Sequence, residues 1–214
     1  EIKHLRDEGI SKPGDTAIFY RTNAQSRVFE ETFLRSSIPY KVVGGVRFYE
    51  RKEIKDFLAY LRVLVNPNDE VSLRRIINTP KRGIGDRALD SVDLFARNEN
   101  ISLWQSLLQV EKISTVPARS ASAITGFIDL IKNLQTLVEA EVRPSIIAQA
   151  VLEQSGLLAE LEKSDDLQDE GRVENLQELV SVAAEYEEGE VEEDEGEPEV
   201  PLAELLVIHV PRHF

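Results

Sequence analysis

The sequence predicts a mainly α-helical domain, preceded by a small strand–helix–strand piece of an α/β sheet. Three observations predict it. Two short β-prone runs, Thr16–Tyr20 and Tyr40–Val43, flank a helical pattern near the start. From about residue 50 the apolar period becomes helical and stays helical. Finally, 214 residues with 42% hydrophobic and 30% charged side chains suffice to bury a core in one or two domains.

Taken in order, residues 1 to 9 read as the end of a helix closed at Gly9, and Lys12-Pro13-Gly14-Asp15 is a turn signal. Thr16 to Tyr20 is short and apolar, a buried strand. Asn23 suits a helix N-cap, with Val28, Phe29, Thr32 and Phe33 on one face. Ile38-Pro39 breaks that helix, and Tyr40 to Val43 is a second strand ended by Gly44-Gly45. Ile54, Phe57, Leu58 and Leu61 fall at helical spacing, and Asn66-Pro67-Asn68 stops the run. Residues 70 to 78 make a short helix with Leu73, Ile76 and Ile77 inside. The loop Thr79 to Gly85 follows, and Asp86 is placed to cap the next helix. Further helices are predicted at about 86–98, 102–109, 118–138, 144–155 and 166–186. The longest has Ile124, Phe127, Ile128, Ile131 and Leu134 at core spacing. No repeat of fixed period appears.

Charge is unevenly placed. The net charge is −14, but residues 185 to 199 alone hold ten acids and no base, which leaves −4 on the rest. Residues 21 to 87 hold 14 Lys/Arg against 8 Asp/Glu, a local +6. The acidic tract is expected to be a solvated, disordered loop over 187–200. The alternative is a tract that repels or competes with nucleic acid. It has no EF-hand spacing.

Several chemistries find no residues. There is no Cys, hence no disulfide, thiol nucleophile or Cys-based metal site. There is no GxxxxGK[ST] phosphate loop and no GxGxxG after a strand. His4, His209 and His213 stand apart from any catalytic pattern, and Pro211 interrupts the only i, i+4 pair. No catalytic residue and no metal site are predicted. No apolar run approaches the roughly 18 residues of a membrane span, so a soluble, cytoplasmic protein without a membrane partner is expected. With Glu1 at its start and no Met, the chain is expected to be an excised or processed piece of a longer protein.

Two segments carry binding chemistry. In Thr79-Pro80-Lys81-Arg82-Gly83-Ile84-Gly85 a GxG turn delivers backbone N–H groups to a helix N-terminus, where the macrodipole favours an anion. Lys81, Arg82 and Arg87 add positive charge. Such a loop grips a DNA phosphate without reading sequence; it is equally read as an ordinary turn that needs Gly. The second segment, Tyr20 to Arg27, leaves a strand and opens a helix, and holds Arg21, Asn23, Gln25 and Arg27. Arg47 falls on the same expected edge, so the group suits a groove that tracks a single strand. Phe48 and Tyr49 fit either base stacking or core packing.

These segments, with GGVRFYERKEIKDFLAYLRVLVNP, RRIINTPKRGIG and RVENLQELV, resemble the UvrD/PcrA/Rep family of superfamily 1 DNA helicases over about residues 14 to 186. The resemblance implies an ATP-dependent 3′–5′ helicase parent acting in repair or replication, with two RecA-like lobes and two inserted subdomains. Residues 1–44 would be part of the first segment of the second lobe (2A), and 45–186 its helical insertion (2B) with a helix-hairpin-helix-like DNA-binding loop. Residues 187–200 would be the acidic loop, and 201–214 a tail of uncertain character. By position, Arg21, Asn23 and Arg47 would contact the single-strand backbone. Thr79, Lys81, Arg82, Gly83, Ile84, Gly85 and Arg87 would hold duplex phosphate. Implied partners are DNA at a single-strand–duplex junction, the remaining helicase lobes, and a repair or transcription protein. The implied location is the bacterial cytoplasm, on the nucleoid. The parent would use ATP and Mg²⁺. This piece has neither the phosphate loop, the acidic Mg²⁺ motif nor the arginine fingers, so it is expected to bind no cofactor and to be inactive alone. The ending VIHVPRHF does not match the family. A competing expectation is a protein-interaction module that docks a repair or transcription partner, with DNA contact secondary.

Overall fold

A computed structural model describes residues 2–191. Its elements in chain order are α1 (Ile2–Asp7), α2 (Ser26–Arg35), α3 (Lys52–Val65), α4 (Glu70–Ile76), α5 (Asp86–Glu99), α6 (Leu103–Leu107), α7 (Ala118–Glu139), α8 (Pro144–Ser155), α9 (Leu157–Glu162) and α10 (Leu167–Val191). Among the described residues no strand forms.

The body is built around α3. Nine of its fourteen residues are buried, eight of them apolar, which places it centrally. It packs against α4, α7, α8 and α10. Phe57, Tyr60 and Leu61 of α3 meet Leu73 and Ile76 of α4 and Ile124, Phe127, Ile131 and Leu134 of α7 in one continuous core. Each such side chain contributes about 1.5–3 kcal/mol by leaving water. The apolar stripe that the sequence shows on 118–138 is buried as its spacing requires. Phe48 and Tyr49 are buried too, which decides for core packing.

Helix ends follow local chemistry. Asp69 caps α4 by accepting from Ser72 N at 3.1 Å. Ser102 and Gln105 form a capping box on α6. Pro144 opens α8, and Gly156, with φ +84°, closes it. That left-handed residue separates α8 from α9, a short helix that the sequence reading did not predict.

Four expectations change. The two strands are absent: Thr16–Tyr20 and Tyr40–Val43 make no backbone ladder and instead line an open cleft of about 900 Å³. A strand exists only when a neighbour pairs with it. Here Phe19 is 93% and Val43 84% exposed. The α2 helix begins at Ser26 rather than beside Asn23, and its N-cap is Gln25. Asp86 is the first residue of α5, whose N-cap is Gly85 with no side-chain cap bond. Finally, α10 continues through Val191, so 187–191 are helical. Residues 192–200 of the expected acidic loop, and 201–214, lie outside the described residues.

The front segment joins the body through polar groups. The buried residues of α2 are Ser26, Arg27 and Glu30, with no apolar residue among them. Glu30 accepts from Phe48 N at 3.1 Å, Ser26 Oγ at 2.9 Å and Tyr40 OH at 3.2 Å. Arg27 reaches Glu31 at 3.0 Å and, on α10, Glu178 at 2.7 Å and Glu185 at 3.3 Å. Burial disfavours its charge, but these three carboxylates outweigh it and hold its pKa above the usual arginine value.

Candidate nucleic-acid interface

The loop from Ile77 to Gly85 joins α4 to α5 and is held from inside by two side chains. Asn78 Oδ1 accepts from Arg82 N at 2.8 Å and from Ile84 N at 3.3 Å. The Arg82 guanidinium donates to four acceptors. Its Nη1 reaches the carbonyls of Ile76 and Pro80, each at 3.1 Å. Its Nη2 reaches Tyr60 OH at 2.5 Å and the Ser155 carbonyl at 2.9 Å. It also lies over the rings of Tyr60 and Phe127, at 5.9 and 5.5 Å from their centroids. Tyr60 OH in turn donates to Thr79 O at 2.6 Å. Burial pushes this hydroxyl up to about 12, while the neighbouring Arg82 acts in the opposite direction.

The outward side of the loop is different. Ile84 is 1% exposed and anchors the turn, whereas Gly83 and Gly85 stand in the open. Gly83 has φ +82°, a conformation that suits glycine. The N–H groups of Gly83, Gly85, Asp86 and Arg87 have no acceptor among the described residues. They surround the N-terminus of a fourteen-residue helix, where partial positive charge gathers. Lys81 and Arg87 are exposed beside them and make no ion pair among the described residues. Asp86 is the one opposing charge in the first turn.

The structure therefore divides the predicted loop residues in two. Lys81, Gly83, Gly85 and Arg87 face outward with unused donors. Thr79, Arg82 and Ile84 face inward: Thr79 Oγ1 donates to Arg75 O at 3.0 Å, and the polar groups of the other two are committed as described. Sequence reasoning missed Asn78, Tyr60 and Ser155, which support the loop. Asn78 was visible as an Asx residue before a turn; Tyr60 and Ser155 are distant in sequence and left no local sign.

The second group is arranged otherwise. Arg21 and Asn23 are exposed on the turn before α2, a turn closed by Gln25 Oε1 accepting from Arg21 N at 2.9 Å. Arg47 is exposed, stands 3.9 Å from Glu50 and lies over the Tyr40 ring at 5.8 Å. Arg27 is 5% exposed and held by its three carboxylates, so it takes no part in this surface. Among the described residues no hydrogen bond or ion pair joins the Arg21–Arg47 group to the loop of 79–85.

This chain matches the model of the UvrD-like helicase C-terminal domain over residues 1–209. The chain belongs to the UvrD-like helicase C-terminal domain family. It is 50% identical over 188 residues to the ATP-dependent DNA helicase UvrD1 of Mycobacterium tuberculosis, a match covering 87% of this chain and 24% of that protein. It is 45% identical over 188 residues to the ATP-dependent DNA helicase PcrA of Staphylococcus epidermidis, covering 87% of this chain and 25% of the relative. The PcrA of Staphylococcus aureus is 43% identical over 190 residues, with the same coverages. The chain spans about a quarter of the length of these curated relatives.

Within this UvrD-like domain the described residues offer no group of three or more His, Asp or Glu placed to hold a metal ion. Among the described residues no helix is long and apolar enough to cross a membrane.

Proposed function

We propose that this chain is the DNA-engaging 2B portion, with the end of the first 2A segment, of an ATP-dependent 3′–5′ DNA helicase that works in repair or replication. The observation that carries this reading is the head of α5. Four unused backbone donors, a helix N-terminus, and the exposed Lys81 and Arg87 converge on one small surface. That is the chemistry of a sequence-independent phosphate contact. Membership of a UvrD-like family, with relatives named as ATP-dependent DNA helicases, supports the same reading.

In this proposal the loop acts as a helix-hairpin-helix-like clamp on duplex phosphate. Arg21, Asn23 and Arg47 guide the single strand. ATP and Mg²⁺ are handled by the remaining lobes, and this chain alone turns over no ATP. On a net-acidic chain a few phosphate contacts give weak binding, on the order of 10⁻⁴ to 10⁻⁶ M.

The test is titration of a fluorescent duplex carrying a 3′ single-stranded tail, across a salt series, with the chain and with Lys81→Ala/Arg87→Ala. The expected result is binding that weakens steeply with salt, and a slope of log affinity against log salt reduced by roughly 1.8 in the double variant. Absence of binding to the parent chain at low salt would turn the reading towards a protein-docking module.

A further inference from the structure

We infer that Arg82 is a positioning residue of the phosphate grip and not a phosphate ligand: it stitches the loop to α3 and α8 so that the Gly83 and Gly85 amides face outward. The inference rests on the phosphate-contact reading of this loop and assigns the roles within it.

The geometry separates Arg82 from its neighbours. Its guanidinium already donates to Ile76 O, Pro80 O, Tyr60 OH and Ser155 O, all within 3.1 Å. A guanidinium has five N–H donors in a fixed fork. Four hydrogen bonds commit both Nη groups to the interior, and the rings of Tyr60 and Phe127 lie against the fork. Lys81 and Arg87 have no such partners and are exposed. The acceptors of Arg82 come from four places: the end of α4, the loop itself, the middle of α3 and the end of α8. One planar cation thus fixes the loop against two helices that are otherwise unconnected to it in sequence. Pro80 lies against the same corner, 3.7 Å from where a Cβ on Gly156 would stand. Asn78 completes the arrangement by holding the Arg82 and Ile84 amides inward. The amides of Gly83 and Gly85, on either side of Ile84, have no acceptor among the described residues. Preorganised donors hold an anion better than donors that must first be ordered.

Charge alone does not satisfy this role. A lysine is a point charge with three donors on a flexible stem and does not reproduce the fork. Arg82→Lys therefore separates the two roles, because a phosphate ligand tolerates it and a stitch does not. Tyr60→Phe removes one acceptor of the fork without changing any charge.

The experiment uses the full 214-residue chain and its Arg82→Lys, Arg82→Gln, Tyr60→Phe and Lys81→Ala variants. Amide hydrogen exchange over residues 79–86 is read without DNA. Affinity for the fluorescent duplex with a 3′ single-stranded tail is read against salt. The expected result for Arg82→Lys and Arg82→Gln is faster exchange in the loop and an affinity lower by about tenfold, with the salt slope kept. Tyr60→Phe moves both readouts the same way by a smaller factor. Lys81→Ala lowers the slope by roughly 0.9 and leaves exchange unchanged.

Two results overturn the inference. One is an Arg82→Lys variant that binds like the parent while Arg82→Gln loses slope as Lys81→Ala does. The other is loop exchange that stays slow in both Arg82 variants and in Tyr60→Phe. If the parent chain binds no DNA, the phosphate-contact reading fails. The exchange arm then still decides whether Arg82 orders the loop.

Discussion

Three tyrosines of this chain have hydroxyls that the fold keeps protonated. Burial pushes Tyr60 up to about 12. Burial, with Glu30 beside it, pushes Tyr40 to about 12. Burial, with Glu31 beside it, pushes Tyr49 higher still. A phenol in the unfolded chain ionises near 10, so between about 10 and 12 the unfolded state releases protons that the native state retains. Stability is therefore expected to fall as pH rises through that window, and the denaturant midpoint followed from pH 9 upward checks it. Arg27 makes a second prediction at this scale. Arg27→Ala leaves Glu31, Glu178 and Glu185 facing one another without a cation. The expected cost is about 1.5–3 kcal/mol. It should fall on the front segment, seen as faster proteolysis within residues 2–46 and slower change in the helical body. Little of this was legible in the sequence. Arg21, Arg27, Arg47 and Arg82 look alike as letters, and only their acceptors tell them apart.

At the scale of elements the sequence was informative where structure is local. The spacing of Ile124, Phe127, Ile128, Ile131 and Leu134 named the buried face of α7, because that face depends only on a period of 3.6. Asn66-Pro67-Asn68 stopped α3 at Val65. Strands were a different matter: TAIFY and YKVV have strand composition, but no residue within them supplies the pairing partner. The acidic stretch shows the same limit. Glu187 reads as one carboxylate in a solvated run, yet it is buried, and both its oxygens serve α8. Ser145 N donates to Oε1 at 2.6 Å and Ser145 Oγ to Oε2 at 2.9 Å, satisfying a first-turn amide from another helix. Glu187→Ala is expected to cost about 1 kcal/mol, as lost helix caps do. Thermal unfolding measures it, and DNA affinity should not change.

For the molecule as a whole, the charge pattern sets a prediction. Residues 192–199 contain six acids and no base. Deleting them, and beginning after Val191 because Glu187 belongs to the fold, should strengthen DNA binding at low salt. The gain should shrink as salt shortens the range of the charges. Titration of the tailed duplex with both proteins at two salt concentrations checks it; equal affinities at low salt would remove the tract from the account. The polar joint between α2 and the body also belongs to this scale. A contact made of Ser26, Arg27 and Glu30 resembles an interface between domains more than a core cut through its middle.

The sequence by itself determined the helical body, the position of the loop at 79–85, the lack of a nucleotide phosphate loop, and the family. All of these rest on periods, turn residues or motifs that lie within a few tens of residues. Only the tertiary structure decided that Arg82 turns inward, that Arg27 is buried, that Glu187 caps α8 and that two apolar runs stay unpaired. Arg82 finds Ser155 73 residues away, and Arg27 finds Glu178 151 residues away. A long cationic side chain goes where its acceptors are, and the acceptors are brought there by packing that no local pattern records.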